Sequence, residues 1–274
     1  MGGDLTSGSG WRFVWASVKG TGHVTAGLPC QDASDVQLHL TSDDEPLLLL
    51  VTSDGAGSAA HSEVGAQLAC EQTMRWMANR LSQAGEHLSE LDGQKLVHDL
   101  RTMLTNCAEE LQHDLRDLAC TLNVAAILPG YQWYLQVGDG ATVVQAGDEP
   151  LRVVFWPDNG EYANQTYFLT DVPDDHIHVR SGNEDVTRVA LMTDGLQSLA
   201  LSLQQRAAHA PFFSPMFGTV ETLVPGDDAG RTMMKASLRT YLDSPAVNAR
   251  TSDDKTLVLA SCRAVMVATV EVTS

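Results

Sequence analysis

The sequence predicts an α+β domain in which two stacked antiparallel β-sheets are covered by helices. Three observations lead there. Short apolar runs recur with tight-turn residues between them, the pattern of antiparallel pairing. Two long segments switch to helical periodicity as a block, instead of alternating one by one with strands. The strand-like runs are numerous enough that two sheets, each with a helical cover, is the economical arrangement.

The elements follow in order. Residues 1–10 are rich in Gly and Ser and read as a disordered leader, leaving one domain over 11–274. Trp11, Phe13 and Trp15 alternate as on a strand with one buried face. Val36–Leu40 and Leu47–Ser53 are the next strands, separated by the acidic turn Ser42–Pro46. Ala66, Cys70, Thr73, Met77 and Leu81 fall at helical spacing. Leu96, Leu100, Met103, Cys107 and Leu111 repeat it, with a join around Asp92–Gly93. Strand-like runs return at Thr121–Leu128, Gln132–Val137, Thr142–Gln145, Leu151–Phe155, Thr166–Leu169 and Thr187–Met192. Pro129-Gly130 and Gly147-Asp148 punctuate them as hairpins. Leu196–Leu203 and Thr232–Leu242 read as helices, Pro211–Pro215 as a core segment, and Thr256–Ser261 and Val265–Val272 as closing strands.

Composition narrows the function. The formal charge of −18 argues against a nucleic-acid partner, which needs clustered Lys and Arg. No apolar run approaches the roughly 20 residues of a membrane helix, and the N-terminus has no secretory pattern. The five cysteines are widely spaced with no CxxC pair, so they read as buried small hydrophobes in a reducing cytoplasm.

The carboxylates are placed more informatively than they are numerous. Asp54-Gly55 follows the strand at Leu47–Ser53, and Asp194-Gly195 follows Val189–Thr193. Asp139, between Gly138 and Gly140, follows Tyr134–Val137; Asp253-Asp254 precedes Thr256, and Asp32 lies just before Val36. Any single Asp-Gly is more often a hairpin turn than a ligand. That alternative is strongest for Asp139, where Thr142–Gln145 looks like the returning strand. It is weaker for Asp54 and Asp194, each followed by a helix-like segment. Carboxylates gathered at sheet ends suit a hard cation. No phosphate loop, HExxH helix, GxSxG elbow or DxDxDG calcium loop competes with that reading.

In order and spacing, these blocks resemble the PPM, or type 2C, protein phosphatases. The matching residues are Gln31-Asp32, Asp54-Gly55-Ala56-Gly57-Ser58 with Glu63, Gly138-Asp139-Gly140, Met192-Thr193-Asp194-Gly195 and Asp254-Lys255-Thr256-Leu257-Val258. Leu28–Ala33, Gly160–Asn164 and Ser244–Asn248 are similar to a divergent bacterial branch, often encoded beside a Ser/Thr kinase and a von Willebrand A-type protein.

The resemblance implies hydrolysis of phosphoserine and phosphothreonine in proteins by a water bridging two Mn²⁺ or Mg²⁺ ions. Asp54 would bridge the ions, the Gly55 carbonyl would complete one, Asp194 and Asp254 would bind the other, and Asp32 would support the site. Asp139 would help hold a weaker third ion, and Asp253 reads as a neighbour outside the ligand set.

Departures from the family are also visible. Gly27 stands where an Arg usually binds phosphate, Gln31 where a Glu is common, and Ala56 and Ala59 where many members carry a His. His61 and His23 are the candidate replacements, His61 as general acid and His23 (or Lys19) for phosphate. The departures keep two other readings open: a catalytically weak scaffold that binds phosphoproteins, and a phosphatase of small metabolites.

Overall fold

The computed structural model describes residues 10–81, 87–157 and 166–263. Two five-stranded antiparallel sheets form its centre. The elements in chain order are β1 (Arg12–Val18), α1 (Thr21–Ala26), β2 (Ala33–Leu40), β3 (Pro46–Ser53), α2 (Ser62–Arg80) and α3 (Glu90–Leu111). Then come β4 (Leu122–Leu128), β5 (Tyr131–Val137), β6 (Ala141–Ala146), β7 (Arg152–Val153), β8 (His178–Gly182), β9 (Val186–Met192) and α4 (Gln197–Ala200). The described chain continues through β10 (Leu201–Ser202), β11 (Ala207–Ala208), α5 (Ala210–Val220), α6 (Asp228–Leu242), α7 (Pro245–Asn248) and β12 (Lys255–Ser261). One sheet runs β1-β12-β9-β6-β7 and the other β2-β3-β4-β5-β8.

Side-chain alternation along β3 shows how the layers assemble. Leu47, Leu49 and Val51 face the core under α2 and α3, whereas Leu48 and Leu50 face the core between the sheets. A strand covered on both faces reads as a continuous apolar run, which is what Leu47–Val51 is. Val14, Ala16, Leu257 and Leu259 pack on the other outer face with Phe213 and Phe217 of α5 and Leu238 of α6. Strand β1 is therefore buried on both sides, not one. The layers run helix, sheet, sheet, helix, as expected from the sequence.

Several boundaries differ for local reasons. Asp92 and Gly93 lie inside α3, because Ser89 begins it with a capping box: Asp92 N–H donates to Ser89 Oγ, and Ser89 N–H to Asp92 Oδ2. Pro211–Pro215 is the start of α5, with Pro at the first turn, where its missing N–H costs nothing. The helix expected over Leu196–Leu203 is one short turn, α4, that passes into β10. The Leu151–Phe155 strand shrinks to β7, and Thr166–Leu169 forms no strand. Residues 1–9 of the proposed 1–10 leader, the Gly160–Asn164 segment and the Val265–Val272 strand lie outside the described residues. No helix among the described residues is long and apolar enough to cross a membrane.

Candidate active site

Seven chain segments, five of them adjoining strands of the two sheets, meet at one end of the sandwich. They enclose a cavity of about 200 Å³ lined by His23, Asp54, Gly55, Ala56, Gly57, Thr121, Asp139, Thr166, Phe168, Asp194 and Asp253. Asp54 arrives on the end of β3, where its N–H donates to Thr121 Oγ1 and its carbonyl accepts from Thr121 N–H. Asp194 leaves β9 into a single 3₁₀ turn, and its Oδ1 is buried with no hydrogen-bond partner. Asp139 sits between β5 and β6. The hairpin alternative fails there because β5 and β6 belong to different sheets, so Gly138-Asp139-Gly140 crosses from one to the other. Thr166 Oγ1 donates to Asp139 Oδ2, and Gln197 Nε2 to the Asp139 carbonyl.

Asp32 lies behind this wall. Its Oδ2 accepts from Thr193 Oγ1 at 2.8 Å and Thr256 Oγ1 at 2.7 Å, while its Oδ1 is buried and unpartnered. The hydroxyls thus tie Asp32 to the ends of β9 and β12, the strands that deliver Asp194 and Asp253.

The pair Asp253-Asp254 divides its work differently from the sequence expectation. Asp253 lines the cavity and is exposed at its mouth. Asp254 is 2% exposed, and its carboxylate accepts from Gly20 N–H at 2.6 Å and Gln31 N–H at 2.5 Å. His23 Nδ1 lies 2.9 Å from Asp254 Oδ2, close enough to pair but outside hydrogen-bond alignment. A carboxylate saturated by main-chain donors inside the protein has little left to offer an ion. Asp253 lies in a bend just ahead of β12 and is the one of the two that faces the cavity, while Asp254 turns inward to the Gly20 and Gln31 N–H groups.

Two glycines permit this crowding. A Cβ on Gly20 would lie 2.3 Å from the Asp253 carbonyl carbon, and one on Gly195 would lie 1.9 Å from the Asp254 carbonyl oxygen.

The histidines also separate. His23 is in the cavity wall. His61 is not among the lining residues; it precedes α2 and its ring lies against His113, 3.9 Å between centroids. Its seven-residue distance from Asp54 misleads because the intervening chain bonds to the Leu115–Leu118 turn and its neighbours, through His61 N–H to Asp117 O and Ala56 N–H to Ala119 O. Gly27 is likewise outside the lining. It closes α1 at φ +70°, with Gly27 N–H to Val24 O and Leu28 N–H to His23 O, the double bond of a Schellman cap. An Arg there would have to adopt left-handed backbone.

Burial, reinforced by mutual repulsion, pushes the acids upward. Burial first, then repulsion from Asp32 and Asp194, holds Asp54 well above the ordinary carboxylate range. Burial raises Asp32 to about 8 despite the Thr256 hydroxyl, with Asp254 adding to the rise. Burial and then Asp194 raise Asp139 to about 6. The carboxylates line a wall and do not close on one point: among the described residues, no three acidic, His or Cys side chains are gathered tightly enough to hold an ion as placed. The donor set still fits hard divalent cations, being all oxygen, mutually repulsive and with two buried oxygens lacking partners. A larger cavity of about 380 Å³ between α5 and α6 has no carboxylate, imidazole or ammonium group in its lining.

Sequence reasoning missed Lys255, which is fully buried on β12 beside this site and donates from Nζ to Asn248 Oδ1 at 2.6 Å. Asn248 Nδ2 in turn donates to Asp243. The Ser244–Asn248 segment, singled out only by resemblance, is thus the cap and partner of a buried lysine. Asn248→Ala is expected to lower stability by about 1–3 kcal/mol in urea unfolding, by leaving a buried donor unpaired. An unchanged midpoint would show that Nζ finds another acceptor.

A family model described as protein phosphatase 2C matches residues 19–243. Serine/threonine-protein phosphatase 3 of Escherichia coli (strain K12) is 37% identical over 251 residues, covering 91% of this chain and 98% of the relative. Among solved structures, the catalytic domain of the phosphatase PstP in complex with two manganese ions superposes with a TM-score of 0.56 at 17% identity, covering 92% of this chain and 97% of that one. Stp1 of Staphylococcus aureus gives 0.54 at 14% identity, covering 91% and 94%. A match over this much of the sequence places the chain in the protein phosphatase 2C family.

Proposed function

We propose that this chain is a metal-dependent protein phosphatase that hydrolyses phosphoserine and phosphothreonine. In this reading Asp54, Asp194 and Asp253 would be the principal groups holding Mn²⁺ or Mg²⁺, the Gly55 carbonyl and Asp139 would assist, and Asp139 would help hold any weaker third ion. The observation that carries it is the arrival of four carboxylates from separate strand ends on one cavity. Two divalent ions, when bound, supply the charge that admits a phosphate dianion and a water acidic enough to attack phosphorus in line.

The chain's own residues do the rest. Asp32, fixed by two threonine hydroxyls, keeps a carboxylate close behind the wall. Asp254 anchors the 20–31 segment through Gly20 and Gln31, which places His23 at the cavity. His23 is the one imidazole among the described lining residues, and it is positioned to hydrogen-bond the phosphate or hold a proton for the departing seryl oxygen. His61 has neither role in this arrangement.

The partners in this reading are phosphorylated proteins. A cognate Ser/Thr kinase and a von Willebrand A-type protein rest on the branch resemblance, and a reducing cytoplasm on the five free thiols. The test is turnover of p-nitrophenyl phosphate and a phosphothreonine peptide with Mn²⁺, with Mg²⁺ and with EDTA. Turnover should require the ion, survive His61→Ala and fall in His23→Ala. Ion binding by calorimetry with no turnover on either substrate would replace this reading with the phosphoprotein-binding scaffold, which the missing phosphate-binding Arg favours.

A further inference from the structure

Resting on the phosphatase reading, we infer that Gln197 is a positioning residue that clamps Asp139 to Asp194 and so sets the affinity for a divalent ion held between those two carboxylates. Strand register brings the two acids together. In the pairing of β6 with β9, the last partners at the cavity end are Ala141 and Met192. Two residues further along each chain stand Asp139 and Asp194, beyond the ladder and on the cavity wall. Like charges set opposite one another across an antiparallel pair repel. Here burial and then Asp194 push the Asp139 carboxyl up to about 6.

The crossing that carries Asp139 needs outside support against that repulsion, because its own backbone is pliant. Gly138 and Gly140 flank Asp139, and Gly138 sits at a left-handed φ of +93°. Three side chains restrain it. Gln136 Nε2 donates to Gly138 O at 3.2 Å, Thr166 Oγ1 to Asp139 Oδ2 at 2.8 Å, and Gln197 Nε2 to Asp139 O at 2.6 Å. Of these, Gln197 is the one also tied to Asp194, since its N–H donates to the Asp194 carbonyl across the 3₁₀ turn.

One residue thus bonds the main chain of both acids, just past the point where the ladder's last partners stand. Both bonds go to carbonyl oxygens, so the clamp fixes the spacing of the carboxylates without consuming an oxygen that an ion would use. A hydrogen-bonding partner behind a metal ligand is worth about 10–100-fold in ion affinity.

The experiment follows Mn²⁺ binding to the ion-free protein by calorimetry, with thermal unfolding alongside. Wild type, Gln197→Met, Gln197→Ala, Asp139→Asn and the double variant Asp139→Asn/Gln197→Met are compared. Met keeps the length of the side chain and loses the donor. Both Gln197 variants should weaken the weaker binding step by about tenfold or more and leave the tighter step at its wild-type value. Asp139→Asn should weaken the same step, and adding Gln197→Met to it should cost nothing further, because the clamp acts through Asp139. Additive losses in the double variant overturn the clamp. So does equal weakening of both steps with a lower melting temperature, the mark of a residue that only supports the fold. Unchanged ion binding in both Gln197 variants overturns it as well. A wild type that binds no Mn²⁺ would instead sink the metal-dependent reading, and the clamp with it.

Discussion

Asp253→Asn is expected to lower metal-dependent turnover by at least about 100-fold, while Asp254→Asn costs only about tenfold and retains ion binding. The two neighbours differ in what their oxygens already do. Asp253 reaches the cavity mouth with Asp54, Asp139 and Asp194, so removing its charge removes a ligand and raises the ion concentration needed for half-maximal rate. Asp254 is occupied by Gly20 and Gln31 N–H groups. An Asn there can still accept one of those bonds with its single carbonyl oxygen. Its NH₂ meets the other donor, which loosens the 20–31 segment and the placement of His23. The Asp254 loss should therefore appear mainly as a change in KM and phosphate inhibition, with ion affinity by calorimetry close to wild type. Equal loss of ion affinity in both variants would mean that Asp254, too, turns into the site.

This pair also marks where the sequence stops being legible. Asp54 and Asp194 could be found from the chain alone, because each follows an apolar strand and precedes a helix, leaving no returning strand to make a hairpin. Asp139 kept its hairpin alternative, since a short Gly-Asp-Gly link looks the same whether the next strand returns beside its neighbour or crosses to another sheet. Only the pairing of β6 with β9 decides that. Asp253 and Asp254 differ by one residue, and a one-residue shift in strand register reverses which side faces the cavity. That register is set by Lys255 opposite Val18 and Leu257 opposite Met192, contacts far apart in sequence. Helix α1 is shorter than the two periods needed to show a pattern, and His61 is near Asp54 only along the chain, because the segment between them does not run straight. A lysine reads as surface, so Lys255 gave no sign of its burial.

Without divalent ions, stability is expected to fall as pH rises from about 4 to about 8, and added Mn²⁺ should restore it most at the upper end. An unfolded aspartate ionises near 3.9. In the folded chain Asp139 is held at about 6 and Asp32 at about 8, and Asp54 is also raised well above its ordinary value. Between the unfolded and folded values the native state binds more protons than the unfolded state, so each pH unit upward favours unfolding. The contribution of these protonated acids is full below about 4, is lost through about 6 for Asp139, and through about 8 for Asp32. A divalent ion supplies the missing charge and binds only the folded wall. At 100 times its Kd it should add about 2.7 kcal/mol. Asp194→Asn tests the same balance from the other side. It removes a charge that raises Asp54, Asp32 and Asp139 together, so the ion-free variant should melt higher than wild type at pH 8. It should also gain less from Mn²⁺ and lose turnover. A variant that is destabilised without ions, or a wild type whose melting temperature is flat from pH 4 to 8, would show that the carboxylates are not strained against one another. Stability surrendered by the empty wall is the free energy available for holding cations, which is why a site this acidic can persist in a chain already so negative.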